Sequence, residues 1–459
     1  MKQVLILVLA LVAFAATGGA HAPSRTAAAG IEVRSQNTTN RFPDGVQFTI
    51  FVGAEANITS ARVRATIFDR PITYVRGTCT AGSNSSCNAT LGNSQQSYIV
   101  PGAEISYVWE IEDANGNKLE TPAATHTYQD DRFQWQNVSE NGVTVYYHFG
   151  SEDGPRSVLR TARETIDRIG ALEQTTVGFP IKIWLYQTAT EMQPAVASRA
   201  GRGPNSSIRT LGEVAAADTA LVSRDTDMLN IVRHEVAHIV TGQATKAHIN
   251  FPSWINEGIS VYSQREVLPD EKQAMDLAIR RNAVLPLPSL GSYQDAADTV
   301  SLFYGQAGAV IKYIVETYGD AKFADWIRAI RTDTVDNASK SAFGVDLLGI
   351  ENGWRKTLGL PEVTAAGSSG SPGSGSSSGP ASIPTLAPLG SNPPPAAAST
   401  PAAGATRSPS SPGTNTDTLQ DDETSTNLLP FGLGAAIVLV IVGGGGYFYL
   451  TKKKATPTA

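Results

Sequence analysis

Residues 233–238 read RHEVAH. His234 and His238 stand four apart, and Glu235 follows the first directly. Positions i and i+4 share one face of a helix, so both imidazoles can aim at a single ion. Zinc takes neutral imidazole nitrogens at about 2.0–2.1 Å. Glu235 lies about 100° further round the helix. It need not be a ligand and can act as general base towards an attacking water. The same spacing also arises where two histidines merely cap or pack on an ordinary helix. What separates the cases is a third protein ligand that leaves one position open for chemistry. Glu257, in WINEG at 254–258, lies nineteen residues after His238 and is the candidate.

These three residues need two helices and a tight return. Leu229, Ile231, Val232, Val236, Ile239 and Val240 supply the apolar positions of the first. Thr226 or Asp225 can cap its start, and Gly242 stands where a left-handed terminal residue is expected. SWINEGISVYSQ reads as the second helix, packed through Trp254, Ile255, Ile259, Val261 and Tyr262. A turn through Asn250-Phe251-Pro252 makes the two antiparallel and sets Glu257 opposite the histidines.

HExxH, eighteen residues, then Glu inside W-x-N-E-G resembles the gluzincin metallopeptidases. The spacing is similar to that of the aminopeptidase N family, and the style is nearer to the looser peptidase MA-like domains. The resemblance spans about 133–360 and implies zinc held by His234, His238 and Glu257, with Glu235 as catalytic base. FYGQAGAVIKYIVETYG, residues 303–319, resembles the gluzincin helix in which a tyrosine precedes small residues. Tyr304 falls at that family's catalytic tyrosine, which implies a hydrogen bond to the oxyanion of the tetrahedral intermediate. The Gly-x-Met-Glu-Asn element that reads a free amino terminus in the family's aminopeptidases has no counterpart around any of the four methionines. The segment 211–223, LGEVAAADTALVS, can supply an edge strand for an extended substrate.

The rest of the chain delivers this domain. MKQVLILVLALVAFAATGGAHA, residues 1–22, has the charged start, apolar run and small-residue end of a secretory signal. Residues 30–130 alternate in the β manner with turns at Pro43-Asp44-Gly45 and Ala114–Asn117, which points to a β-sandwich of the immunoglobulin or fibronectin type. The peptidase domain is placed at 133–362, in an α+β pattern of strands followed by helices. Residues 365–427 hold no aromatic residue and are rich in Gly, Ser, Pro, Ala and Thr, so they read as a disordered linker. Residues 428–450 are apolar enough and long enough for one transmembrane helix, and Lys452-Lys453-Lys454 marks 451–459 as the cytoplasmic tail.

Cys79 and Cys87 are the only cysteines; export permits a bridge between them, and neither has a C-x-x-C partner for zinc. The formal net charge of -6, with scattered basic residues, carries no nucleic-acid footprint. Seven N-x-S/T sequons begin at Asn37, Asn57, Asn84, Asn88, Asn137, Asn205 and Asn337. His126 reads as a surface or turn residue, His148 as structural, and His248 as an exposed loop residue. The sequence therefore points to a single-pass, extracytoplasmic zinc metallopeptidase acting on peptides or proteins at the cell membrane. The competing expectation is a surface binding or adhesion protein that retains a zinc site with little or no activity. A metal-dependent hydrolase of another bond also remains open, since fold does not fix substrate.

Overall fold

The structure is a computed structural model that describes residues 27–28, 30–94, 97–196, 210–224, 227–246, 251–290 and 297–364. The expected signal (1–22), linker (365–427), transmembrane helix (428–450) and tail (451–459) lie outside the described residues, as do Asn205 and His248. Among the described residues, no helix is long and apolar enough to cross a membrane.

The chain opens with ten strands: β1 (Ala27–Ala28), β2 (Ile31–Arg41), β3 (Gly45–Ala54), β4 (Ile58–Ile67), β5 (Thr73–Arg76), β6 (Thr78–Cys79), β7 (Asn84–Gly92), β8 (Ala103–Asp113), β9 (Lys118–Glu120) and β10 (Ala124–Tyr128). They form two sheets, ordered β1-β2-β3-β7-β6 and β10-β8-β4-β5, with β9 paired to β8. Alternation fixes which face turns inward. Val46, Phe48, Ile50 and Val52 of β3 meet Val63 of β4 and Ile105, Trp109 and Ile111 of β8 in one buried core. The β8–β9 hairpin forms at the expected turn, with Glu112 opposite Lys118. Cys79 and Cys87 face each other across β6 and β7 and are joined by a disulfide. His126 is not a turn residue. It sits within β10, where its Nδ1 is 2.9 Å from the Thr38 hydroxyl, and burial lowers its pKa.

Next come β11 (Gln136–Glu140), β12 (Val143–Tyr147), α1 (Asp153–Glu173), β13 (Ile181–Tyr186), α2 (Ala189–Met192), β14 (Gly212–Ala216) and β15 (Thr219–Ser223). The third sheet runs β11-β12-β13-β15-β14, with β12, β13 and β15 parallel neighbours. Parallel neighbours need a crossover, which α1 supplies between β12 and β13. His148 follows β12, stacked on Phe133 at 4.0 Å with Nε2 3.3 Å from Glu191, a structural setting as expected. The single edge strand expected over 211–223 is two strands, and β14 is the one at the end of the sheet.

Seven helices complete the described chain: α3 (Met228–Thr245), α4 (Ser253–Ser263), α5 (Pro269–Arg280), α6 (Ala297–Tyr318), α7 (Asp320–Ile330), α8 (Val335–Phe343) and α9 (Leu347–Thr357). By its contacts the chain divides into two units. One takes in 30–156, 181–196 and 215–224, the strand-rich part. The other takes in 157–180, 210–214 and the residues from 227 onward, the helical part. The core of the helical unit includes Trp254, Ile255, Ile259, Ile311, Ile314, Phe323, Trp326 and Trp354.

Two helix-end expectations are corrected. Gly242 does not end α3, which runs one turn further to Thr245 before Lys246 takes the left-handed conformation at φ 54°. A hydrogen bond from the Thr245 hydroxyl to the Thr241 carbonyl sits on that last turn. The start is also different: Asp227 occupies the cap position without a side-chain cap bond, and residues 225–226 lie outside the described part.

Candidate metal centre

The whole centre lies in the helical unit. α3 is buried on nearly every side from Ile231 to Thr241, which is the signature of a central helix rather than a surface one. His234 and His238 therefore leave water together, with ring centroids 5.0 Å apart. α4 packs against α3 and carries Glu257, which is 4% exposed. Nε2 of His234 and Nε2 of His238 each lie 3.3 Å from Oε2 of Glu257. One ligand atom from each of the three residues can be chosen so that all lie within 4.8 Å of one another. The structure thus brings together all three expected ligands.

The spacing has a chemical meaning. Two ligands about 2.0–2.1 Å from a tetrahedral zinc stand about 3.3–3.4 Å apart. Charge-assisted N–H···O bonds between an imidazolium and a carboxylate close to about 2.7–2.9 Å. At 3.3 Å, both pairs match the edge of a tetrahedron and are long for direct ion pairs. The donor set of two imidazoles and one carboxylate also suits zinc with an open fourth position.

Electrostatics at His234 and Glu257 favour the protonation states a metal needs. Burial lowers His234 to about 4, against the pull of Glu257, so its imidazole is neutral at physiological pH. Burial alone would raise the Glu257 carboxyl, but His238 and His234 outweigh it and hold it down at about 2. Neutral imidazoles and an ionised carboxylate are the forms that bind a metal. Glu235 differs. Burial first, then the negative charges of Glu257 and Glu213, push its carboxyl well above the usual range, and the Val214 backbone amide opposes them weakly. Neither carboxylate oxygen of Glu235 makes a well-aligned hydrogen bond to a described protein group. A fully buried carboxyl group with so little compensation is costly unless its function uses it.

Small residues bring the surrounding elements close. A Cβ on Gly212 of β14 would stand 2.3 Å from Oε1 of Glu235, so the edge strand runs directly against the candidate base. A Cβ on Gly258, next to Glu257, would meet the backbone of Ala307 in α6 at 2.7 Å. A Cβ on Gly305, next to Tyr304, would meet the Glu271 carbonyl of α5 at the same distance. Tyr304 is buried, its ring centroid 6.0 Å from that of His234. The FYGQAG stretch thus reaches the centre through residues that let three helices approach closely.

Several neighbours were not singled out from the sequence. Gln264, at the C-terminal cap of α4, has Nε2 2.9 Å from Nδ1 of His234, and both side chains are buried. The available signal was its position seven residues after Glu257, two helical turns along the same face. Glu213 on β14 is buried and adds to the negative charge felt by Glu235. Glu271 of α5 is buried, and burial pushes it up to about 8. Buried acids on separate elements leave no periodic trace in a sequence. Arg233 is mostly buried and donates from Nη1 to Asn230 Oδ1 at 3.1 Å, a contact within its own helix.

Residues 161–359 match the family described as the Peptidase MA superfamily. That match covers most of the span over which the motifs resemble the same family. Among solved structures, the chain is similar to an M1 zinc metallopeptidase from Deinococcus radiodurans, at 15% identity over 72% of this chain and 95% of that one, with a TM-score of 0.34. It is also similar to a carbohydrate-binding module family 56 β-1,3-glucan binding domain, at 20% identity over 20% of this chain and 98% of that one, with a TM-score of 0.14. No curated protein matches the chain.

Proposed function

We propose that this protein is an exported, membrane-anchored zinc metallopeptidase that hydrolyses peptide bonds outside the cytoplasm. The observation that carries the reading is the pair of 3.3 Å separations between the His234 and His238 nitrogens and one oxygen of Glu257, in a fully buried setting. The match to the Peptidase MA superfamily supports the reaction class. The export and anchoring parts rest on the signal-like segment at 1–22 and the apolar segment at 428–450.

His234, His238 and Glu257 would hold the zinc, which when bound supplies a Lewis acid for a water and for the scissile carbonyl. Glu235 accepts the proton of the attacking water on its carboxylate and returns it to the leaving amine. Its raised proton affinity suits it to hold that proton between the two steps. The Tyr304 hydroxyl donates to the oxyanion as the carbonyl becomes tetrahedral. An extended peptide adds to β14, the last strand of the third sheet, whose Gly212 lies against Glu235. The β-sandwich orients the catalytic unit or engages substrate, and the linker gives it reach.

The test is Glu235→Gln in the full chain, read by zinc content and by hydrolysis of a peptide library. Zinc stays at one per chain, while turnover falls by at least about 10²–10⁴-fold. Unchanged hydrolysis in the variant would remove Glu235 from the mechanism. A wild-type chain that binds no zinc would remove the reading altogether.

A further inference from the structure

The environment of His234 carries an inference about how the centre is held. A histidine that offers Nε2 to a metal must carry its proton on Nδ1, and that N–H needs an acceptor if the ring is to keep its tautomer and orientation. The group standing at Nδ1 of His234 is the side-chain amide of Gln264, 2.9 Å away in a buried site. The amide's other end, Oε1, makes no hydrogen bond to any described residue. A half-turn of the amide exchanges its oxygen and nitrogen at nearly the same positions. The same amide can therefore present an acceptor at 2.9 Å to a protonated Nδ1.

Among the described residues, nothing equivalent serves the second histidine. Nδ1 of His238 is buried and has no hydrogen-bond partner among the described residues. The two imidazoles are thus held differently: one by a hydrogen bond from behind, the other by packing. Gln264 is also well placed to be rigid. It closes α4, and its backbone N–H bonds the Val261 carbonyl, so the helix that carries Glu257 also carries the partner of His234. α4 thereby reaches α3 twice, once with a ligand and once with a support for a ligand.

From this geometry we infer that Gln264 is the positioning residue of the centre, its amide oxygen accepting a hydrogen bond from the Nδ1–H of His234 and so setting that ring for metal binding. The inference rests on the zinc-site reading above and extends it to a residue that touches neither metal nor substrate. Partners of this kind typically change metal affinity by about 10–100-fold when removed.

The experiment measures zinc affinity by chelator competition on the full chain, with thermal unfolding as the check on folding. Gln264→Met nearly preserves volume and removes the strong acceptor; Gln264→Leu removes it with a second shape. Gln264→Glu keeps an acceptor at the same reach. The expected result is about 10–100-fold weaker zinc binding in the Met and Leu variants, with affinity restored to at least the wild-type level by Glu. A filler of the core alone would not show that rescue, because a buried carboxylate is a poorer packing group than methionine. Wild-type affinity in a folded Met or Leu variant overturns the inference. Equal weakening in Met, Leu and Glu also overturns it, by reducing Gln264 to a packing role. Should the Met and Leu variants fail to fold, a folded Glu variant that binds zinc more weakly than wild type overturns it by itself. A wild-type chain without zinc affinity defeats the underlying reading, an outcome separable from all the others.

Discussion

Gly212→Ala tests whether the edge strand sets the position of Glu235, the proposed base. A Cβ at residue 212 would stand 2.3 Å from Oε1 of Glu235, 2.6 Å from Cγ2 of Ile231 and 2.9 Å from Cδ of Glu235. Ordinary contact begins near 3.4 Å, so the carboxylate or the strand must yield by about 1 Å. A displacement of that size at a reacting group costs about 10²-fold in rate, or about 2.7 kcal/mol of transition-state stabilisation. The overpacking itself lowers stability by about 1–3 kcal/mol. His234, His238 and Glu257 are not the atoms a new methyl would meet first, so zinc affinity should hold within about threefold. The assay is kcat/KM on a peptide substrate beside zinc titration, for Gly212→Ala alone and combined with Glu235→Gln. If the methyl acts through the base, it costs nothing further once Glu235 is already Gln. A folded Ala variant with wild-type kcat/KM refutes the reasoning, and so does full additivity in the double variant.

Gly242→Ala is the contrasting substitution. Gly242 lies inside α3 with no heavy atom of a described residue within 4 Å of an added Cβ, so alanine should raise stability by about 0.5–1 kcal/mol, read from the urea midpoint; destabilisation would contradict the helix continuing past it. Glu173 gives a pH effect. Burial raises its carboxyl from 4.5 to about 8 in the fold, partly opposed by the Thr241 hydroxyl bonded at 2.7 Å. Between those values the unfolded chain has released a proton that the folded chain keeps, so this group's contribution to stability is full below about pH 4.5 and declines as pH rises towards 8. Glu173→Gln keeps an acceptor for Thr241 and should flatten that decline, so its gain over wild type in urea unfolding is larger at pH 8 than at pH 5. An identical pH dependence in the two chains would place Glu173 elsewhere than in a buried, neutral state.

The candidate ligands were legible because helical geometry imposes a spacing that metal chemistry also requires. His234 and His238 are one turn apart on α3, and the apolar residues of SWINEGISVYSQ predict α4 at nearly its observed bounds. The strands of the first two sheets were legible for the same reason with period two: GVQFTIFVG turns Val46, Phe48, Ile50 and Val52 inward. The end of α3 misled because a glycine was read by its conformational permissiveness. Gly242 adopts ordinary helical geometry, and a lysine takes the left-handed position four residues on. Gln264, Glu213 and Glu271 were not legible, because each acts across a gap between elements, and no periodicity encodes which side chain faces which.

Glycines link the two kinds of information. Glu257 is followed by Gly258, Tyr304 by Gly305, and Glu235 faces Gly212. At each position the neighbouring backbone or side chain comes closer than any Cβ would allow: Ala307 at Gly258, Glu271 at Gly305, Glu235 itself at Gly212. A fourth, Gly308, leaves room for Val261 of α4 in the same helix pair, where a Cβ would meet Cγ1 at 2.4 Å. These glycines fix how close α6 stands to α4 and α5, and β14 to α3, and hence where Glu257, Tyr304 and Glu235 come to rest. WINEG and FYGQAG are therefore not only carriers of reactive groups. Their small residues set the inter-element distances on which the 3.3 Å geometry of the centre depends. A chain with the same His, Glu and Tyr residues at the same spacing, but with alanine at 258 and 308, would retain the motif and lose the approach of α4 to α6 that makes it a site.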